Sequence, residues 1–195
     1  IILMNKVLLC LLFFLLNWGA RSQNKVNFDG QLSGVVNFSP NSFTWGLLSA
    51  RYLPEVNYTR KLDTTHSLYF EVSANIWGST YFHENDSVST DGAIKPYRIY
   101  GRFSGQNYEV RIGLQKIDFG SAMILRPLQW FNEIDPRDPL AITDGVNAVL
   151  GRYYFKNNAN LWVWGLVANE NSRGYDLAES YGARPEYGGR FQTPV

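Results

Sequence analysis

Apolar and polar side chains alternate along this chain in segments of roughly ten residues, and this period of two is the signature of β-strands. The clearest segment has Leu68, Phe70, Val72, Ala74 and Ile76 on one phase and Ser67, Glu71, Ser73 and Asn75 on the other. Because charged and polar residues occupy every second position, the strand must have one apolar and one polar face. The pattern therefore predicts an all-β fold whose strands are not buried on both sides.

Eight segments carry this pattern. They span residues 26–38, 43–53, 67–76, 97–103, 108–115, 146–155, 161–169 and 184–195. Turn residues at 39–42 and 104–107 predict tight hairpins. We expect Pro54 either to end the second strand or to make it an edge strand, because proline lacks a ladder donor. Short connections near 54–64, 104–107 and 156–160 alternate with longer polar ones at 79–93, 118–145 and 170–183.

The first 22 residues resemble a secretory signal. Met4 and Lys6 begin a short basic start, Val7 to Leu16 are apolar, and Ala20-Arg21-Ser22 offers the small-x-small pattern that precedes cleavage. We expect the cut before Gln23. Residues 1–22 are then a signal peptide, and 23–195 are the N-terminal part of a barrel domain.

Composition agrees with export and argues against a nucleic-acid partner. Removing Lys6 and Arg21 would leave 16 basic and 17 acidic residues, so bulk charge predicts no polyanion-binding surface. The chain is rich in aromatic residues, with 12 Tyr, 12 Phe and 6 Trp. Outer-membrane barrels place such residues in girdles at the two membrane interfaces.

These features together predict an antiparallel transmembrane β-barrel. Outer-membrane barrels have short periplasmic turns and long external loops, and a soluble sandwich has no reason to sort its connections by length. Eight strands can close, but Pro185 and Pro194 would each remove a donor from a closing strand, and the last residues lack the usual terminal aromatic. We therefore expect part of a larger barrel.

Several motifs resemble porin-like outer-membrane barrels of Gram-negative bacteria, with the alginate-export type and Bacteroidetes relatives the most similar. The motifs, in chain order, are Arg111-x-Gly113-x-Gln115-x-Ile117-x-Phe119-Gly120, Phe131-Asn132-x-x-Asp135-Pro136, Gly145-Val146-Asn147-Ala148 and Arg152-Tyr153-Tyr154-Phe155. The resemblance implies a passive channel of about sixteen to eighteen strands. It implies no cofactor and transfers no substrate site.

Polar residues of one predicted hairpin form the first candidate site. They share the phase that would face the lumen: Arg98, Arg102, Glu109, Arg111 and Gln115. A ladder with more basic than acidic groups would favour anions. The alternative is that these residues pair across strands and only stiffen the wall.

The segment from Asp118 to Gly145 is the second candidate site. Its charged residues include Glu133, Asp135, Arg137, Asp138 and Asp144. Folded into the pore, it would form a constriction that sets selectivity; otherwise it is an external loop. Oxygen ligands could also bind Ca²⁺, but the spacing fits no calcium-loop motif, so we predict no metal site.

Other aromatic and histidine residues are predicted to anchor the barrel. Those near predicted strand ends are Tyr52, Tyr97, Tyr108, Tyr154, Trp162 and Trp164; we expect them in the girdles, with a sugar-stacking track as the alternative. His66 lies on the apolar phase beside a short turn, which favours an interface position over catalysis. We predict no enzyme.

The sequence thus predicts an outer-membrane channel for passive diffusion of small polar or anionic solutes. The alternative is a barrel that acts as a receptor, adhesin or structural anchor through its long external loops. The expected partners are outer-membrane lipid, small solutes and the barrel-assembly machinery, with no nucleic acid. The sequence leaves a homo-oligomer open.

Overall fold

The computed structural model describes residues 24–40, 42–119, 142–169 and 184–194. In these ranges the chain forms eight strands and no helix. The strands are β1 (Asn24–Phe38), β2 (Thr44–Lys61), β3 (Ser67–His83), β4 (Val88–Ser104), β5 (Tyr108–Gln115), β6 (Val146–Tyr154), β7 (Asn160–Leu166) and β8 (Glu186–Gln192). The described ranges contain no helix long and apolar enough to cross a membrane.

All eight strands belong to one antiparallel sheet whose order follows the chain, from β1 to β8. Each strand pairs with the strands before and after it. Among the described residues β1 and β8 do not pair with each other, so this is an open sheet. The predicted all-β antiparallel class is confirmed.

The strands fall into two lengths. β1 to β4 have 15, 18, 17 and 17 residues, whereas β5 to β8 have 8, 9, 7 and 7. The turns 62–66, 105–107 and 155–159 lie at one end of the sheet, here called the short-turn end. At the other end, called the long-connection end, β1, β3, β5 and β7 finish and β2, β4, β6 and β8 begin. β1 to β4 extend beyond β5 to β8 at the long-connection end. The pairing of β4 with β5 ends at Ile99 and Leu114, whereas β4 itself begins at Val88.

Two predicted boundaries are wrong. Pro54 does not end the second strand: it lies inside β2, opposite Gly30 of β1. The pairing with β3 is interrupted at Leu53 and Pro54 and resumes at Glu55; a second irregularity lies between Thr44 and Gly46. A proline can sit inside a paired strand when the missing donor coincides with such a gap.

The polar stretch 79–93 is not a loop. Ser79 pairs with Asp91, and only residues 84–87 make the turn of a long β3–β4 hairpin. Serine and threonine occupy both phases here, so the apolar alternation is lost while the backbone ladder continues. The short turn expected near 54–64 accordingly moves to 62–66. The predicted hairpin from 97 to 115 is confirmed, with β5 starting at Tyr108 and ending at Gln115.

Candidate functional site

The two faces of the sheet have opposite chemistry and opposite burial. One face is apolar and exposed, with Leu32 76%, Val36 79% and Ile94 74% accessible. The other carries polar groups that are nonetheless buried, including Arg98 at 6% and Gln115 at 0%. A single layer can bury one face only by curving around it or by being covered, so we call these the outer and the inner face.

A small apolar cluster covers part of the inner face. It consists of Ile117, Phe119, Val146, Ala148, Leu150, Trp164 and Leu166, with Trp162 packed against it. The chain therefore turns inward after β5, since Ile117 and Phe119 follow that strand and lie over the inner side chains of β6 and β7. The centroids of the Phe119 and Trp164 rings are 4.8 Å apart.

Three arginines on the inner face surround the carboxylate of Glu109. Arg111 Nε lies 2.7 Å and Arg152 Nη1 3.3 Å from Glu109 Oε1, and Arg102 Nη1 lies 3.8 Å from Oε2. Glu109 is only 14% exposed in its side chain, so water screens these contacts less than at an open surface. Arg102 is the most exposed of the three arginines and the most loosely held.

Each of these arginines also lies over an aromatic ring. Arg152 Cζ is 3.8 Å from the centroid of Trp162, and Arg102 Cζ is 4.5 Å from that of Tyr69. The contact of Arg111 with Tyr100 is longer, at 5.8 Å. Cation–π attraction adds to the ion pairs and fixes the planes of the guanidinium groups.

Glu71 holds two of the rings in place. The hydroxyl groups of Tyr69 and Tyr100 both donate to Glu71 Oε2, at 2.9 and 2.8 Å. Glu71 thus orients the two rings on which Arg102 and Arg111 lie. We call the three arginines, Glu109, Tyr69, Tyr100 and Trp162 the arginine cluster.

Strand register explains why these residues meet. Arg102 pairs with Arg111 across β4 and β5, and Glu109 pairs with Arg152 across β5 and β6. Arg152 is in turn opposite Trp162 of β7. Because alternate residues of a strand share a face, all of them project to the inner side near the short-turn end.

The other two predicted lumen residues have structural partners. Arg98 Nη2 donates to the carbonyl of Thr143 at 2.8 Å, and Arg98 also bonds the carbonyl of Tyr97. Gln115 Nε2 donates to the carbonyl of Ala148 at 3.0 Å. Both residues lie on the inner face, but away from Glu109.

The described ends of the predicted constriction segment both touch the inner face. Ile117 and Phe119 pack there, as does Thr143, which is 1% exposed, while Asp144 is exposed. Glu133, Asp135, Arg137 and Asp138 lie outside the described residues, so the inward constriction stays a prediction.

Sequence reasoning missed Arg152 and the rings that support the arginines. Arg152 is separated from Glu109 by the long connection before β6, so no local spacing places the two together. Trp162 and Trp164 were expected in a girdle, and that expectation is wrong because both face inward. Only the alternation of Trp162, Trp164 and Leu166 along β7 could have indicated their shared face.

Aromatic groups do line both ends of the outer face. At the long-connection end the ring of Trp45 lies 5.8 Å from that of Phe38 and 5.4 Å from that of Phe82. At the short-turn end Tyr108 lies 5.8 Å from Phe103, on which His66 stacks at the same distance. The His66 interface position is compatible with this cluster.

The described residues contain no group of three or more His, Cys, Asp or Glu side chains arranged to hold a metal ion. Comparison with protein-family models, with curated proteins and with solved structures finds no match for the chain.

Proposed function

We propose that the chain forms wall strands of a porin-like barrel in the outer membrane of a Gram-negative bacterium, through which small polar or anionic solutes diffuse. The observation that carries this proposal is the inverted burial: large apolar side chains are exposed on the outer face while charged ones are enclosed on the inner face. Exposed apolar surface of this extent calls for an apolar environment, and lipid supplies one.

The outer surface also fits a bilayer in its arrangement. Aliphatic residues such as Val72, Ile112, Val149 and Val163 lie between the aromatic groups of the two ends. β5 to β8, with 7 to 9 residues, are close to the 9–11 that a tilted spanning strand uses. Within the described residues β1 and β8 each have one neighbouring strand, so in a bilayer their outer edges would need further strands, because lipid cannot satisfy open backbone groups.

The inner face supports a polar path with a preference for anions. The arginine cluster holds the three positive charges of its arginines and the single negative charge of Glu109. A lumen lined with excess positive charge and bounded by low-dielectric walls raises the local concentration of anions.

Planar-bilayer conductance tests the channel directly. The protein, expressed with its native export segment and purified from the outer membrane, should give stable single-channel steps and a reversal potential displaced toward anions in a salt gradient. N-terminal sequencing of the same sample should read from Gln23. A bilayer that stays silent at every voltage, with the protein folded, would contradict the proposal.

One observation favours the alternative of a receptor, adhesin or anchor. β1 to β4 extend beyond β5 to β8 at the long-connection end, and the β3–β4 hairpin carries exposed residues beyond the Gly78–Gly92 pair. Replacing residues 80–90 by a two-residue Asn-Gly turn would join the paired residues Ser79 and Asp91. If the extension serves adhesion, this shortening should abolish attachment of expressing cells to a surface while conductance is kept.

A further inference from the structure

The arginine cluster has more positive charge than its own carboxylates neutralise. Arg102, Arg111 and Arg152 carry three positive charges and Glu109 one negative charge, which leaves an excess of two. Beyond the cluster, Glu71 lies behind two of the rings and Arg190 lies 5.5 Å from Trp162 on the other side. Those two charges offset each other, and Glu55 also acts on the ring of Tyr69, so the excess of two belongs to the charged residues of the cluster alone.

This excess is concentrated and partly dehydrated. The exposed fractions of the side chains are 32% for Arg102, 17% for Arg111 and 12% for Arg152. Like charges gathered at partial burial repel one another more strongly than at an open surface, and an anion relieves this repulsion. Because Arg102 is the most exposed and lies 3.8 Å from Glu109, it is the group best able to turn toward a ligand.

We propose that the arginine cluster is a saturable binding site for a dianionic oxyanion, namely a phosphate group, free or as a monoester. The proposal rests on the proposed function for the ligand's route, since the site lies on the inner face of the channel wall. A charge of minus two matches the excess. Planar guanidinium groups donate paired hydrogen bonds to the oxygens of phosphate, a geometry that a halide ion cannot use.

The rings define how the ligand is met. Arg102 lies over the ring of Tyr69, Arg111 over that of Tyr100 and Arg152 over that of Trp162, so each guanidinium group has an aromatic partner that limits its orientation. Glu71 acts as a positioning residue because it fixes the two tyrosine hydroxyl groups. Arg111 and Arg152 are thus held in place before binding, and Arg102 is the arginine that phosphate would have to order.

Titration calorimetry with inorganic phosphate, on the protein folded in detergent micelles, tests the site. The expected result is saturable binding that weakens about tenfold in Arg102→Gln, the loss of one charge-assisted hydrogen bond. Lys95→Gln removes an exposed positive charge from the same strand, away from the cluster, and should leave the affinity unchanged. Equal weakening in both variants, or no saturable binding in the wild type, would overturn the proposal.

A competition experiment needs no variant. Sulfate should displace phosphate at similar concentrations, whereas chloride at the same ionic strength should not. If chloride displaces phosphate as well as sulfate does, the interaction is general screening and the site does not exist.

The failure of the site and the failure of the channel are distinguishable. Phosphate binding in micelles with a silent bilayer would reject the channel and keep the site. Conductance whose anion current shows no saturation with phosphate, together with no heat of binding, would reject the site and keep the channel.

Discussion

At the scale of single residues, three charged side chains of the inner face interact with three chemically different kinds of partner. Glu109 gathers three guanidinium groups, Glu71 receives two phenol hydroxyl groups, and Arg98 donates to main-chain carbonyls. Each arrangement satisfies a charge without an equal number of opposite charges. The consequence is that these three residues contribute to different properties and can be tested separately.

Arg98 should stabilise the fold rather than attract solutes. In Arg98→Gln the buried carbonyl of Thr143 loses its donor, so we expect the free energy of unfolding in micelles to fall by about 1–3 kcal/mol. Urea titration measures this change. Lys95→Gln, three positions away and exposed, should change it by less than about 0.5 kcal/mol; a similar loss in both variants would contradict the anchoring role.

Asp63 shapes the turn between β2 and β3. Its Oδ1 accepts from the backbone N–H groups of Thr65 and His66, each at 2.7 Å, and its Oδ2 lies 2.7 Å from His66 Nδ1. The backbone hydrogen bond from Thr65, followed by the side-chain bond with His66, holds the pKa of Asp63 well below its usual range. A depressed carboxyl pKa stabilises the folded state at pH above about 4, and this stabilisation is lost as pH falls through the folded-state pKa.

Asp63→Asn keeps an acceptor oxygen but removes the charge. Its thermal midpoint should therefore lie below that of the wild type at pH 7, and the gap should narrow toward pH 2. Asp86→Asn removes a carboxylate from another exposed turn and serves as the control. The difference between its thermal midpoint and that of the wild type should not narrow in this way as the pH falls. A gap that stays constant with pH in Asp63→Asn would show that the charge does not matter.

At the scale of the strand, one glycine allows β4 and β5 to approach. Gly113 has φ +123°, and a Cβ there would meet the carbonyl oxygen of Ile99 and come within 2.9 Å of Tyr100 Cα. The backbone occupies this space, so no side-chain rearrangement can make room. Gly113 lies opposite Tyr100, and any displacement of this pair would also displace the ring under Arg111.

Gly113→Ala should accordingly destabilise the protein by about 1–3 kcal/mol and weaken phosphate binding with it. Gly151→Ala is the matched control on β6, since its Cβ would meet only the carbonyl oxygen of Val163 at 3.9 Å. Urea titration of both variants measures the difference. Equal stability of the two would mean that the conformation at Gly113 carries no strain.

The sequence predicted the strands well where one phase was apolar throughout. β5 has the predicted bounds, and Arg102, Glu109 and Arg111 meet on one face as expected, because a hairpin fixes its own register. The upper parts of β3 and β4 were missed, since Thr80 and Thr90 break the apolar phase. Arg152 was missed because register across a connection of some thirty residues depends on the whole sheet, not on local spacing.

At the scale of the whole molecule, contact of the outer face with lipid can be tested by placing a charge on that face. Ile112 is 59% exposed and lies on the outer face within β5. In lipid, Ile112→Lys should cost about 2–4 kcal/mol near the bilayer midplane and reduce folding into vesicles. On a water-exposed face the same change would be close to neutral.

After incubation with vesicles, the folded fraction of this variant is measured by comparing the electrophoretic mobility of unheated and heated samples. Gln106→Lys places the same charge in the turn between β4 and β5 and should fold as the wild type does. If Ile112→Lys folds and inserts equally well, the outer face does not contact lipid.

The pairing of every strand with its chain neighbours has a consequence for how the molecule is built. Turns of only a few residues join the first five strands in four successive hairpins. Each of these strands can therefore pair with the preceding one at a small entropic cost. The thirty residues between β5 and β6 make that closure costlier by roughly 1.5 kcal/mol. We therefore expect β6 to pair with β5 about tenfold less readily than a strand joined by a short turn, and to do so after the first five strands have paired.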